Sequence, residues 1–227
     1  MNLKSGVNDE CFAYIWGHKF NRIEMKRFLL FIVCFFSIAA QARNVKEAFL
    51  SMPVDMLQEV SEESRTELIE SYEANSDTAI SVLNKLDENL FIETLTETYF
   101  RLNMGNTDIQ IIVLPTDHSR LYCFIRTTCA PACDSRIEFY SANWEKLNAS
   151  NYITVVPPSS FFDNYEDSSL SQNISLMQFD YNEESNRLIQ TNNSSQISDS
   201  NDRGKAKATV RNEKTEYYWD NRKFVQE

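Results

Sequence analysis

The chain has few of the residues that punctuate a fold or arm an active site: four glycines, five prolines and two histidines in 227 residues. It has no glycine-rich phosphate loop and no G-x-S-x-G or H-E-x-x-H pattern, so the familiar nucleotide, serine-hydrolase and zinc-protease signatures are missing. Basic residues are in deficit, with 22 Lys+Arg against 33 Asp+Glu and a formal charge of −11. A nucleic-acid binder neutralises phosphates with clustered Lys and Arg, and that class is therefore excluded. Long apolar runs are absent as well. The longest, residues 28–40 (FLLFIVCFFSIAA), has 13 positions, against the ~20 of a membrane-spanning helix. What the chain does have is 42% hydrophobic and 12% aromatic residues. That is enough for a packed core, and wholesale disorder is excluded.

Residues 28–40 follow Met25-Lys26-Arg27 and end at Ala40-Gln41-Ala42. A basic start, a short apolar stretch and an A-x-A site describe a signal peptide over 25–42, cleaved between Ala42 and Arg43. Residues 1–24 read as an over-long gene start and are assigned no fold. Cys34 follows Val33 rather than a small residue, so lipid anchoring is not expected. The expected mature domain, 43–227, keeps 17 basic and 30 acidic residues, a net of −13. It is expected in the periplasm, on the outer-membrane surface or outside the cell, with no membrane-spanning segment and no nucleic-acid contact.

The mature chain opens with helical signals. Asn44 can cap residues 45–50, Pro53 suits a short helix over 54–59, and Ser61 can cap a helix that opens with Glu62 and Glu63. From about residue 79 the period becomes two, with alternation over 98–104 and a turn at Gly105-Asn106. Strands are expected at 98–104, 109–114, 121–127, 137–140, 152–156, 176–181, 187–191, 206–210, 217–219 and 223–225, with a short helix from Ser160 and a mobile loop over 192–204. The fold class expected from this order is α+β: short N-terminal helices, then an antiparallel β-meander. Two helix-plus-sheet units, 43–150 and 151–227, are left open as a subdivision.

Three cysteines remain after residue 42: Cys123, Cys129 and Cys133. In an exported protein a disulfide is the default. Cys129 and Cys133 flank a three-residue tip, while Cys123 either pairs with one of them or stays buried. The trio falls short of a four-ligand zinc site, and neither metal nor cofactor is expected. His118 lies in a polar connector and is read as a surface histidine rather than the base of a cysteine nucleophile. Asp77-Thr78-Ala79 matches a short O-glycan attachment pattern, which makes Thr78 a candidate. Trp144, Trp219, Tyr217 and Phe161 are candidate binding aromatics, with core packing as the competing reading. No catalytic residue is assigned.

The helical opening with Met52-Pro53 and Ser64-Arg65, residues 109–115, the segment PACDSRIEFY followed by Trp144, and the tail YYWDNRKF resemble a family of uncharacterised secreted proteins from Bacteroides-type bacteria, a domain of unknown function. The resemblance implies no mechanism. The functional expectation is an exported noncatalytic module that presents a sheet and the loop 129–135 to a protein or glycan partner. The alternatives are a carboxylate-based hydrolase of cell-wall or host polymers and a structural component of an envelope assembly.

Overall fold

Residues 109–114 are apolar at every position but one, and alternation along a strand sends successive side chains to opposite faces. Such a strand is stable only where both faces are covered. The computed structural model describes residues 44–74, 81–83, 89–117, 119–130, 132–161, 176–194 and 214–227, and this strand lies at their centre. Eleven strands occur among the described residues: β1 (Val82–Leu83), β2 (Asn89–Leu95), β3 (Tyr99–Met104), β4 (Thr107–Pro115), β5 (Arg120–Cys129), β6 (Cys133–Ser141), β7 (Lys146–Leu147), β8 (Met177–Asn182), β9 (Arg187–Asn192), β10 (Lys214–Trp219) and β11 (Phe224–Gln226). They form two antiparallel sheets, one of seven strands in the order β1 to β7 and one of four in the order β11-β10-β9-β8. Residues 43–227 cluster as one compact unit.

The expected α+β class is corrected by these sheets, because the protein is mainly antiparallel β. Among the described residues there are only two α-helices, α1 (Val45–Ser51) and α2 (Glu62–Ala74). The capping signals were read correctly: Asn44 Oδ1 accepts from the Glu47 amide at 2.9 Å, and Ser61 Oγ accepts from Ser64 at 3.1 Å. Helices of 7 and 13 residues need a partner surface, and here they cover one face of a much larger sheet. Val45, Ala48 and Phe49 of α1 and Leu68 and Ile69 of α2 share one core with Ile109, Ile111, Val113, Tyr122 and Phe124. On the opposite face Ile112, Leu114, Leu121, Cys123 and Ile125 pack against Met177, Phe179, Tyr181, Leu188 and Tyr217 of the smaller sheet.

Several local expectations are met and several are displaced. Gly105, at φ +68°, joins β3 to β4 through a two-residue turn, with the glycine first as a type II′ turn requires. The β5–β6 hairpin runs all the way to Cys129 paired with Cys133, so the loop expected over 129–135 is mostly strand. Residues 152–156 join no ladder. The Gln190 side chain takes the place of a partner strand, accepting from the Val156 amide at 3.1 Å and donating to its carbonyl at 2.7 Å. The helix expected from Ser160 is a 3-10 turn, Pro158–Phe161. The expected strand at 206–210 lies outside the described residues, as does the expected mobile loop beyond residue 194. Asn192, Asn193 and Ser194 are buried.

The two sheets meet along a polar seam. β8 pairs only with β9, which leaves alternate amides on its other side without a ladder partner. Side chains of the larger sheet satisfy them. Asp134 Oδ1 accepts from Met177 at 2.9 Å, Ser135 Oγ from Phe179 at 2.9 Å, and Gln110 Oε1 from Tyr181 at 3.0 Å. Three acceptors at a spacing of two residues thus cap a strand edge that would otherwise be open to other chains.

Candidate functional site

The β10–β11 turn is shaped by its own sequence. Asp220 Oδ1 accepts from the amides of Lys223 at 2.7 Å and Arg222 at 2.8 Å. These backbone bonds, the one from Lys223 foremost, hold the Asp220 carboxyl below its ordinary range. Asn221 takes a left-handed conformation at φ 72°, which asparagine tolerates better than most residues. Trp219 then anchors the turn, its Nε1 donating to the Pro115 carbonyl at 2.6 Å. Pro115 ends β4, so the smaller sheet is fastened over the connector between β4 and β5. Within that connector Thr116 Oγ1 donates to Ser119 O at 2.9 Å and accepts from the Ser119 amide at 3.0 Å, which fixes its bend.

Between the connector and the turn lies a groove of about 460 Å³, within the usual range for small-ligand sites. Thr116, Ser119, Arg120, Ser141, Asn221 and Arg222 line its sides, with Leu121, Leu147 and Tyr152 among the apolar lining. The Tyr152 ring stacks on buried Phe139 with centroids 5.1 Å apart. Among the described residues of the lining Asp117 is the only carboxylate, and Arg222 Nε lies 3.4 Å from its Oδ2. A second groove of about 370 Å³ runs between residues 154–157 and β11. Phe224 donates its amide to Tyr152 O at 2.7 Å, so residues of the two grooves are directly bonded.

The residues singled out in the sequence lie elsewhere. Cys129 and Cys133 are joined by a disulfide at the hairpin tip, and Cys123 is free and fully buried. Burial pushes the Cys123 thiol far up, so it carries no thiolate at neutral pH. Trp144, Tyr217 and Phe161 belong to the two cores, while Trp219 is half-buried against the second core and is not among the residues lining the groove. Trp144 holds φ 62° while its ring packs 4.7 Å from Tyr122 and 5.4 Å from Tyr140. Ala42, Arg43, Thr78 and His118 lie outside the described residues.

The densest charge cluster is part of the seam between sheets. Arg101 pairs with Glu93 at 2.9 Å and with Asp108 and Asp180 at 3.1 Å each. Buried Gln110 donates to Asp108 at 3.3 Å and to Asp180 at 3.1 Å, and accepts from Tyr99 Oη at 3.1 Å. Burial raises the Asp108 carboxyl above its ordinary value, against the pull of Arg101. Burial alone would lower Arg101, but Asp108 and Asp180 raise it further. These acids are consumed in pairing, and none of them lines either groove. Among the described residues no group of three or more His, Cys, Asp or Glu is placed to hold a metal, and no helix is long and apolar enough to cross a membrane.

A family described as protein of unknown function (DUF3256) matches residues 37–224. The chain belongs to the DUF3256 family. A solved domain of an uncharacterized protein from Porphyromonas gingivalis W83 is similar over 81% of this chain and 98% of its own, at 23% identity and a TM-score of 0.66. At that identity the likeness shows the fold alone. No curated protein matches the sequence. The groove of this family member escaped the sequence reading for a simple reason. Arg120 and Arg222 are about a hundred positions apart in the chain, and neither stands in a local pattern; the one signal nearby is the Asp220-Asn221 turn pair.

Proposed function

We propose that this DUF3256 protein is an exported, noncatalytic binding module that holds a protein or glycan partner in the groove between the β4–β5 connector and the β10–β11 turn. The observation that carries the reading is a groove framed by both sheets and pinned by Trp219, whose single carboxylate is already faced by an arginine. A two-carboxylate hydrolase needs a pair of acids about 5–10 Å apart facing one cleft. Glu93, Asp108 and Asp180 instead converge on Arg101. The hairpin tip is also a weaker candidate than expected, because Asp134 and Ser135 spend their acceptors on β8. Export is supported by the signal-like segment at 25–42 and by a compact unit that begins at residue 43.

Expression of the full gene in a Gram-negative host should yield a processed protein that starts at Arg43 by N-terminal sequencing. Recovery of the unprocessed chain from the cytoplasm alone would remove the export claim. The purified protein should bind members of a polysaccharide and peptide panel and return them unaltered in mass, and Tyr152→Ala should weaken that binding. Measurable turnover of a bound polymer would overturn the noncatalytic claim.

A further inference from the structure

The groove's chemistry is specific enough to suggest a ligand class. Its charged lining is two guanidinium groups and one carboxylate, a local excess of positive charge on a chain of net −11. Arg120 is exposed and makes no ion pair among the described residues. Arg222 Nε lies 3.4 Å from Asp117 Oδ2, and its two terminal nitrogens make no hydrogen bond among the described residues. A guanidinium with free terminal nitrogens is a planar fork matched to a carboxylate. The rest of the lining has a different character. Tyr152, held flat against Phe139, offers a ring face, and Leu121 and Leu147 extend the apolar surface. Ser141 Oγ accepts from the amides of Asn143 and Glu145 at 3.2 Å each, so its hydroxyl hydrogen is free to donate outward. The Asn221 side chain, presented by a left-handed backbone, supplies both a donor and an acceptor.

We infer that the ligand of this groove is an acidic oligosaccharide, whose carboxylates pair with Arg120 and Arg222 while a sugar ring lies on Tyr152. This rests on the binding-module reading above. A sugar presents an apolar C–H face and a rim of hydroxyls, and the lining of the groove offers both apolar and polar partners. An acidic peptide would satisfy the arginines, and its backbone amides would match Ser141 and Asn221, but it lacks the flat C–H face that a sugar ring lays on the Tyr152 ring. A free anion would use neither the ring nor the leucines.

The test is calorimetric titration of the purified protein with trigalacturonate and with 3′-sialyllactose, beside fully methyl-esterified trigalacturonate and lactose as uncharged counterparts. At least one acidic sugar should bind and its uncharged counterpart should not, with affinity falling as salt rises. Arg120→Gln and Arg222→Gln should each weaken binding roughly tenfold, the scale of one lost charge-assisted contact. Arg187→Gln, which removes a cation paired to Glu227 away from the groove, should leave affinity unchanged. Equal urea midpoints for the variants would show that the fold is retained. The inference is overturned if neither acidic sugar binds, if the uncharged counterparts bind as well, or if both glutamine variants keep full affinity. Binding of neutral sugars or peptides that is lost in Tyr152→Ala would overturn the acidic-sugar assignment and leave the binding module standing. No ligand from the whole panel titrating into the groove would remove both.

Discussion

Gln110 is the one polar residue in an otherwise apolar run, and at 1% exposure it is also the member of the sheet-to-sheet seam most sensitive to change. Its Oε1 accepts from Tyr181 N at 3.0 Å and from Tyr99 Oη at 3.1 Å. Leucine at this position keeps the volume and removes both acceptor contacts. A buried donor left without a partner costs about 1–3 kcal/mol. Among the described residues the Tyr181 amide has no alternative partner on that side, whereas the Tyr99 hydroxyl can rotate, so Gln110→Leu should cost about 2–4 kcal/mol. Against a typical stability of about 5–15 kcal/mol this is a large fraction. At about 2–4 °C per kcal/mol for a domain of this size, the melting temperature should fall by roughly 5–15 °C. Urea denaturation measures the free energy, and amide exchange localises it, with Tyr181 losing protection first. Tyr99→Phe removes only one of the two contacts and should cost about 1 kcal/mol. The reasoning is refuted if Gln110→Leu changes stability by less than about 0.5 kcal/mol, the range of ordinary surface substitutions, or if Tyr181 keeps its protection.

Three further outcomes are expected. Replacing Cys129 and Cys133 by serine opens a five-residue loop and should cost about 2 kcal/mol by loop-closure entropy. Faster exchange should appear at Met177 and Phe179, whose amides are held by the adjoining Asp134 and Ser135, and unchanged exchange there would count against the disulfide as support for the seam. Arg65 is fully buried and donates through Nη1 to Met52 O, while its Nε and Nη2 are without partners, so burial lowers its pKa. Arg65→Met should therefore be neutral or stabilising by about 1 kcal/mol in denaturant titration, and a loss above about 3 kcal/mol would show that the guanidinium is needed. Glu138 is the pH-sensitive case. Burial alone would raise its carboxyl, but hydrogen bonds from Lys146 and Tyr140 and the charge of Arg136 bring it below the ordinary value. A depressed carboxyl contributes stability above its unfolded pKa of about 4.3 and loses it as pH falls through the folded value. Glu138→Gln should thus cost up to about 1 kcal/mol at pH 7 and nothing in acid, and an equal cost at both would refute the assignment.

Much of the fold was legible where a physical rule acts over a few residues. The Asn44 and Ser61 caps, the Gly105 turn and the alternation in β3 depend on neighbours in the chain, and each is where local chemistry puts it. The disulfide belongs to the same group, since four positions of separation across a tight hairpin bring Cys129 and Cys133 opposite each other. The α+β expectation fails because the helix signals at the chain's start, though clear, belong to two short helices beside sheets of seven and four strands. Residues 152–156 were read as a strand because β-branched residues look alike whether a backbone or the Gln190 side chain supplies the partner. The candidate aromatics show the same limit: Trp144, Tyr217 and Phe161 are buried because facing sheets cover them, which no window of sequence reports.

By itself, then, the sequence determined composition, charge, family and most local elements, because hydrogen-bond caps, turn dihedrals and side-chain alternation act over a few positions. The tertiary structure alone decided that the strands divide into sheets of seven and four, and that Gln110, Asp134 and Ser135 join them. It also brought Arg120 and Arg222 into the lining of one groove. Those pairings span 40 to 100 residues, and they exist only once burial of two apolar faces has fixed where each strand lies.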